Sequence, residues 1–279
     1  MRELEVSAVS GLVSGLVGRI NLIADPEVMK IMADVRKGNG SLSGRLAGIH
    51  LDNAAAAAED EVPVCQDTGM TVVFLEVGQD VHLVGGALEE AVNAGVREGT
   101  RTHRLRHSTV SDPLRRVNTG DNAPAVIHTR LVPGDRVRVV VTAKGFGSEN
   151  ASALGMLPPS AGRRGVIEFV LGAIREKGAD ACPPLVVGVG IGGTMEKAAL
   201  LAKEALTLPL GRPHPDPFYQ ELEREILDGL NRLPVGMQGL GDGPTAMAVH
   251  ILTYPTHIAG LPVAVNPSCH VYRHEEGVL

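Results

Sequence analysis

The chain has 279 residues, of which 44% are hydrophobic and 21% are charged, and it carries a formal net charge of −6 at pH 7. A chain of this kind can bury a sizeable core in one large domain or two ordinary ones, and disorder is not indicated. The negative charge argues against the basic face that nucleic-acid binding needs. Arg2, Glu3 and Glu5 are unlike a secretory signal, and no apolar run approaches the roughly 18 residues of a membrane span. We therefore expect a cytoplasmic protein that binds neither nucleic acid nor membrane.

The first 60 residues predict a helical N-terminal part. Asp25-Pro26-Glu27 has the pattern of a helix start, with a capping Asp, a Pro in the first turn and an acidic residue after it. Apolar residues at 28, 31, 32 and 35 then fall on one helical face. Gly38-Asn39-Gly40 is predicted to end this helix, and a second helix is predicted over 43–60.

The rest of the chain mixes strand and helix patterns. Pro133-Gly134-Asp135 is predicted to be the turn of a β-meander between strands 125–129 and 136–142, and Gly99 is predicted to follow the end of a helix. Segment 246–252 fits a strand or a short helix. The mixture predicts an α/β (α+β) fold in which mixed sheet segments pack with helices. Further strands are predicted over 71–77, 185–189 and 261–265, and helices over 83–97, 164–177, 195–206 and 214–231.

The three cysteines, Cys65, Cys182 and Cys269, are the main candidates for chemistry. Disulfides are not expected in a chain without an export signal, and the absence of any C-x-x-C pair excludes a zinc ribbon or a ferredoxin-type cluster. Thiolates suit zinc and iron–sulfur centres, and three of them would leave one iron of a four-iron cluster open to substrate. Spacing does not show that the three converge. A nucleophilic Cys65 paired with a histidine, and a zinc site completed by His270, therefore stay open.

The segment Val62 to Gly69 places Cys65, Gln66 and Asp67 in succession between Pro63 and Gly69, which predicts a loop. Loops on a rigid scaffold often carry binding chemistry, although a buried thiol beside an Asx turn would give the same local pattern.

Two other segments have both a structural and a functional interpretation. Residues 188–193 read G-x-G-x-G-G rather than G-x-G-x-x-G, which argues against a dinucleotide site and leaves tight strand-to-helix packing or an anion role. The basic loop from Arg101 to His107 is typical of a solvated surface, but Arg106 in it could hold a small carboxylate.

Four motifs occur in order over nearly the whole chain: Val64-Cys65-Gln66-Asp67-Thr68-Gly69, Asn118-Thr119-Gly120-Asp121-Asn122, Lys144-Gly145-Phe146-Gly147-Ser148-Glu149-Asn150, and the stretch from Cys182-Pro183-Pro184 through Gly190-Ile191-Gly192-Gly193-Thr194. With these motifs, in this order, the chain is similar to the class I (iron–sulfur) fumarate hydratases and to the α-subunits of L-tartrate dehydratase. The segment around the third cysteine, Asn266 to His270, departs from the Cys-Trp type segment of the family, so the resemblance covers Cys269 and not the contacts of the residues beside it.

The resemblance implies a cofactor and a substrate pocket. It implies that Cys65, Cys182 and Cys269 hold a [4Fe–4S] cluster with one iron not ligated by protein, within a single cluster-binding domain over 1–279. It also implies catalytic roles for Asp67 and Arg106. The implied lining of the dicarboxylate pocket is Gln66, Asp67, Arg106, Gly145, Gly147 and Ser148.

The resemblance also implies an activity and a partner. The expected reaction is the reversible hydration of fumarate to L-malate, a step of the tricarboxylic acid cycle, with L-tartrate dehydration as the nearest alternative. Single-chain members continue into a domain that supplies the general base, whereas this sequence stops at Leu279. It therefore resembles a separate α-subunit that needs a β-subunit, in an α2β2 assembly.

Overall fold

The structure is a computed structural model that describes residues 1–38 and 40–279, and Asn39 of the predicted turn lies outside the described residues. The chain forms two compact units. Unit 1 comprises Met1–Ala24, Asn53–Phe146 and Arg273–Leu279, and unit 2 comprises Asp25–Asp52 and Gly147–Tyr272. The helices are α1 (Val6–Leu22), α2 (Pro26–Arg36), α3 (Leu42–Glu59), α4 (Leu88–Thr102), α5 (Phe146–Glu149), α6 (Gly162–Lys177), α7 (Met195–Ala205) and α8 (Pro217–Asn231). The strands are β1 (Arg2–Glu5), β2 (Met70–Gly78), β3 (Val81–Val84), β4 (Val126–Val132), β5 (Val137–Lys144), β6 (Ala153–Leu157), β7 (Leu185–Gly192), β8 (Ala246–Tyr254), β9 (Leu261–Ser268) and β10 (His274–Val278).

These elements confirm the predicted α/β class with mixed sheets. The predicted start of α2 is confirmed, because the Asp25 carboxylate accepts from the N–H groups of Glu27 and Val28. The division proposed from the sequence, one domain with residues 1–60 as its helical part, stays a prediction; α1, α2 and α3 all begin within those residues.

Unit 1 is built on a four-stranded sheet in the order β10-β5-β2-β4. Strand β2 pairs parallel with β4 and antiparallel with β5, and β10 pairs antiparallel with β5. The predicted meander of β4 and β5 is therefore wrong, because β2 lies between them. The turn at Pro133-Gly134-Asp135 joins two strands that share a neighbour but do not pair with each other.

Helices α1 and α4 pack against each other in the core of unit 1. A side chain at Gly95 or Gly99 would come within 3.0 Å of α1, so these two glycines allow the close approach. Gly99 therefore lies inside α4, and its predicted place beyond the helix end is wrong. The predicted helix start at Leu83 is also wrong, because Leu83 belongs to β3, and Gly85 and Gly86 interrupt the chain with positive φ.

The stretch from Val6 to Arg36 is long and apolar enough to cross a membrane by length and composition alone. Within it, α1 buries Val9, Val13 and Leu16 completely in the core of unit 1. A core helix passes the same test, so this stretch is weak evidence for a membrane segment.

Unit 2 is built on a sheet in the order β6-β9-β7-β8, in which β7 and β8 are parallel and β9 is antiparallel to both β7 and β6. Segment 246–252 is thus part of a strand, β8. Helices α6 and α8 pack on one face of this sheet, and α7 packs on the other. The helix predicted from His214 begins at Pro217, where the Asp216 carboxylate accepts from the N–H of Phe218.

The glycines of the G-x-G-x-G-G segment make room for α7. A Cβ on Gly188 or Gly190 would lie 2.1 or 2.0 Å from main-chain oxygens of α7. No side chain fits at either position, so strand-to-helix packing accounts for both residues. Gly192 and Gly193 follow with φ of +94° and +70° and make the turn into α7.

Candidate active site

The Cys65 loop in unit 1 is fixed at both ends. The residue before the cysteine, Val64, donates its N–H to the carbonyl of Asn21 at 2.9 Å and accepts the side-chain amide of Asn53 at 2.9 Å. At the far end, Gly69 has φ +73°, and a Cβ there would lie 2.4 Å from the carbonyl oxygen of Lys144. Only glycine allows the loop to pass this close to the end of β5.

The carboxylate of Asp67 holds the loop in shape. One oxygen, Oδ1, accepts the N–H of Gly69 at 2.9 Å, and the other, Oδ2, accepts the N–H of Phe146 at 2.9 Å. The N–H of Asp67 in turn donates to Cys65 Sγ at 3.4 Å. Neighbouring Gln66 is exposed and its Oε1 lies 3.6 Å from Cys65 Sγ. The three consecutive residues predicted from the sequence are therefore in mutual contact.

The guanidinium of Arg106 reaches the same loop. Its Nη2 lies 3.5 Å from Asp67 Oδ1 and its Nε lies 3.4 Å from Ser108 Oγ. Both contacts are long, and the Arg106 side chain is 58% exposed. Guanidinium has five N–H donors, so donors remain for a carboxylate arriving from solvent.

Asn122 supports the main chain around Arg106. It is 2% exposed, its Oδ1 accepts the N–H of Ser108 at 2.6 Å, and its Nδ2 donates to the carbonyl of Arg106 at 3.0 Å. Asn122 has φ +62°, a conformation that Asn tolerates better than most residues. Asn122, the last residue of the motif 118–122, thus positions the main chain that carries the arginine.

The other arginines of the basic loop lie at the surface, whereas Leu105 between them is buried in the core of unit 1. Arg101 is paired with Glu98 and is 79% exposed, and a cavity of about 600 Å³ beside it is lined by Arg97, Arg104 and Asp121 among others. Arg106 does not line this cavity. Arg101 and Arg104 therefore agree with the solvated-surface interpretation, and Arg106 is the exposed arginine of the loop that contacts Asp67.

The three pocket residues predicted between Lys144 and Asn150 divide between the units. Gly145 lies in unit 1, where a Cβ would sit 3.1 Å from Asp67 Oδ2 and 3.5 Å from Nη2 of Arg273. Gly147 and Ser148 lie in unit 2 on the short helix α5, so this segment is not entirely a loop. A Cβ on Gly147 would be 3.0 Å from a main-chain oxygen, and Ser148 is buried.

Arg273 is a residue that sequence reasoning missed. It is 5% exposed, and its Nη1 donates to Asn21 Oδ1 at 2.8 Å. It therefore ties β10 to the same asparagine whose carbonyl holds Val64. Nothing in the local pattern at 273 signals this role, because its partners lie more than 120 positions away.

Unit 2 brings Cys182 and Cys269 into one network. Cys182 is exposed and has φ +54°, and Cys269 follows directly after β9. His270 connects them, since its N–H donates to the carbonyl of Cys182 at 3.3 Å and its Nδ1 lies 3.0 Å from the same oxygen.

A second histidine lies against this connection. The rings of His50 and His270 are 4.0 Å apart between centroids. Burial and, to a smaller extent, the nearby charge of His270 together lower the pKa of His50 from 6.5 to about 4. His50 is therefore neutral at neutral pH and can accept a hydrogen bond.

The donor set fits the implied cluster chemically. All three cysteines are free thiols, and soft thiolate ligands are what iron–sulfur clusters require. Among residues 1–38 and 40–279, no group of three or more His, Cys, Asp or Glu is placed to hold a metal ion. Cys65 belongs to unit 1 and the other two to unit 2, and their convergence stays a prediction.

Comparisons with known proteins identify the family. The family model described as fumarate hydratase (fumerase) matches residues 11–278. The chain belongs to the fumarate hydratase family. A putative L(+)-tartrate dehydratase subunit alpha of Methanocaldococcus jannaschii is 39% identical over 241 residues, which cover 84% of each chain. The L(+)-tartrate dehydratase subunit alpha of Escherichia coli K12 is 32% identical over 283 residues, covering 100% of this chain and 92% of the relative.

These matches confirm the family resemblance drawn from the motifs, and they make this member of the fumarate hydratase family a hydro-lyase of the α-subunit type. The relatives are named α-subunits, which implies a partner subunit.

Proposed function

We propose that this chain is the α-subunit of a cytoplasmic iron–sulfur hydro-lyase that reversibly hydrates fumarate to L-malate, the reaction that occurs in the tricarboxylic acid cycle. The observation that carries the proposal is the contact of Asp67 with both Cys65 and Arg106 in unit 1, in a chain that matches the family over residues 11–278. A candidate cluster ligand and a candidate carboxylate clamp thus both contact Asp67.

Cys65, Cys182 and Cys269 are the residues that would hold the [4Fe–4S] cluster, with one iron left without a protein ligand. When bound, the cluster supplies a Lewis acid, which makes the loss of a hydroxyl group feasible at neutral pH. Asp67 donates its N–H towards Cys65 Sγ at 3.4 Å, a contact that orients the sulfur.

The other residues of the chain bind and orient the dicarboxylate. Arg106 offers exposed N–H donors to one carboxylate, and Asp67 keeps the guanidinium turned towards the Cys65 loop. Gln66 is exposed beside Cys65 and can bond a polar group of the substrate. Gly145, Gly147 and Ser148 complete the proposed pocket with main-chain and hydroxyl groups. Donors fixed in advance stabilise the negative charge that develops as a proton leaves carbon.

The proposed partner is a β-subunit that supplies the general base, in an α2β2 assembly. The names of the relatives support a separate partner, because they are α-subunits of a similar length. The base takes the C3 proton of L-malate, and Arg106 holds the carboxylate while this happens.

Dehydration of L-tartrate is the second candidate. It is supported by the names of the two relatives described above, which are L(+)-tartrate dehydratase α-subunits. The two substrates differ by one hydroxyl group, so the same residues would serve both reactions.

The test is anaerobic co-expression with the β-subunit, followed by iron and sulfide analysis and assays on fumarate, L-malate and L-tartrate. We expect iron and acid-labile sulfide in comparable amounts, and their loss together with activity in Cys182→Ser. Turnover of L-tartrate far above that of fumarate would favour the second candidate. Zinc without sulfide, or a fully active Cys182→Ser enzyme, would refute the cluster proposal.

A second arm tests the carboxylate clamp. Arg106→Lys removes the planar fork of donors, and a charge-assisted hydrogen bond contributes about 1.5–3 kcal/mol, so kcat/KM should fall about tenfold to a hundredfold. Arg115→Lys is the matched control, because Arg115 is exposed in the following loop. Equal effects of the two substitutions would contradict the assignment of Arg106.

A further inference from the structure

The glycine-rich segment 236–243 in unit 2 has no role in the proposed reaction. Gly236, Gly239, Gly241 and Gly243 all have positive φ, and Gln238 shares this conformation with φ +53° although it carries a side chain. A non-glycine residue in the left-handed region is uncommon and needs support from its surroundings.

Both the main chain and the side chain of Gln238 bind the residue that follows Cys182. Its N–H donates to the carbonyl of Pro183 at 2.9 Å, and its Nε2 donates to the same oxygen at 3.1 Å. The left-handed turn at Gln238 aims both donors at one acceptor.

The amide of Gln238 also lies beside the two histidines. Its Nε2 lies 3.2 Å from His50 Nε2 and 3.3 Å from His270 Nδ1. An amide nitrogen carries two hydrogens, and these satisfy Pro183 and the neutral His50. His270 Nδ1 then carries its own hydrogen and donates it to the carbonyl of Cys182, 3.0 Å away. One arrangement of hydrogens thus satisfies the contacts described for this group.

The segment itself is anchored firmly enough to act as a support. The N–H of Met237 donates to the carbonyl of Asp242 at 2.7 Å, which closes the segment on itself. The carboxylate of Asp242 accepts the N–H of Ser43 at 2.7 Å, at the start of α3, the helix that carries His50. Gln238 and His50 are therefore held by connected elements of unit 2.

We propose that Gln238 is a positioning residue that holds Pro183 and His50. The ring of His50 packs on His270 and keeps it bonded to the carbonyl of Cys182, which sets the placement of Cys182 and Cys269 for ligation. The inference rests on the proposed function for the ligand role of the two cysteines. The contacts that link Gln238 and His50 to His270 and Cys182, called the tether below, are a property of the metal-free chain.

The test is site-resolved thiol labelling of the metal-free full-length chain. Gln238→Met keeps the shape of the side chain and removes its donors. Loss of a hydrogen bond loosens a local contact by about fivefold, so half-buried Cys269 should react with N-ethylmaleimide about fivefold faster, measured by peptide mass spectrometry relative to Cys65 in the same molecule. Gln220→Met, on the exposed side of α8, is the matched control and should leave the ratio unchanged.

Two further measurements keep the test decisive. If Gln238→Met melts well below the wild type, Gln238→Glu, which also lacks the amide donors, is labelled in its place and the same rise at Cys269 is expected. In the reconstituted protein, either variant should lose iron to a chelator faster than the wild type. An unchanged Cys269-to-Cys65 ratio would overturn the positioning role even if the wild type holds iron and sulfide. A wild type that takes up no iron would overturn the proposed function, while a raised ratio would still support the tether.

Discussion

Replacing Asn122 by glycine tests whether Asn122 positions Arg106. The substitution removes the acceptor of the Ser108 N–H at 2.6 Å and the donor to the Arg106 carbonyl at 3.0 Å. Glycine accepts the φ of +62° without strain, so the lost hydrogen bonds dominate the effect.

The magnitude follows from burial. Asn122 is 2% exposed, and a buried polar group left without its partner costs about 1–3 kcal/mol. The Ser108 N–H and the Arg106 carbonyl both lose their partner, and relaxation of the backbone and entry of water offset part of this cost. The free energy of unfolding should therefore fall by about 2 kcal/mol. For a chain of this size that corresponds to a fall of about 4–8 °C in Tm.

The assay is thermal unfolding, with the KM for the dicarboxylate as a second measurement. KM should rise, because the main chain that carries Arg106 is less constrained. Asn118→Ala is the matched control: it loses bonds to Gly120 and His107 of similar length, but Asn118 is exposed and water replaces them. Equal losses in the two variants, or a loss below about 0.5 kcal/mol for Asn122→Gly, would refute the reasoning.

Two other predictions concern Gly69 and His50. Gly69→Ala should lower the free energy of unfolding by more than about 3 kcal/mol, because the new Cβ would lie 2.4 Å from a main-chain oxygen. Gly134→Ala is the control: its Cβ would have open space, so only the backbone strain of about 1–2 kcal/mol is expected. Similar melting temperatures for the two variants would contradict this prediction. Burial lowers the pKa of His50 from 6.5 to about 4, so the unfolded chain binds this proton at a higher pH than the folded one. Stability should fall as pH drops from 6.5 towards 4. The His50 contribution is at most about 3 kcal/mol, and about 1 kcal/mol once partial exposure is allowed for. Urea unfolding across this range should show a smaller fall in His50→Phe, and an identical fall would disprove the assignment.

Local signals in the sequence predicted some elements well. The Asp25 cap and the proline after it act within one turn, so the start of α2 is correct. Pairing between strands depends on residues far apart in the sequence. The residues around Pro133 therefore do not indicate that β2 lies between β4 and β5. Gly99 was misplaced for a related reason, since its role is a contact with another helix.

The candidate site divides in the same way. Cys65, Asp67 and Arg106 stand out by residue type, and unit 1 brings them into contact. Asn21 and Arg273 act through partners distant in the sequence, so no local pattern marks them. One feature of the sequence could have pointed to Gln238, which is its long polar side chain in a segment rich in glycine. The structure shows that Gln238 and these glycines have positive φ. The family resemblance supplied what neither pattern nor contact provides, the nature of the reaction.

The two main-chain bonds to the Asp67 carboxylate bear on the cost of recognition. With both oxygens already engaged by Gly69 and Phe146, the ordering entropy of this loop is spent during folding. An arriving dicarboxylate then needs to immobilise little besides the Arg106 side chain. Few contacts with the substrate can then give adequate affinity, because little of the binding free energy is lost in ordering the loop.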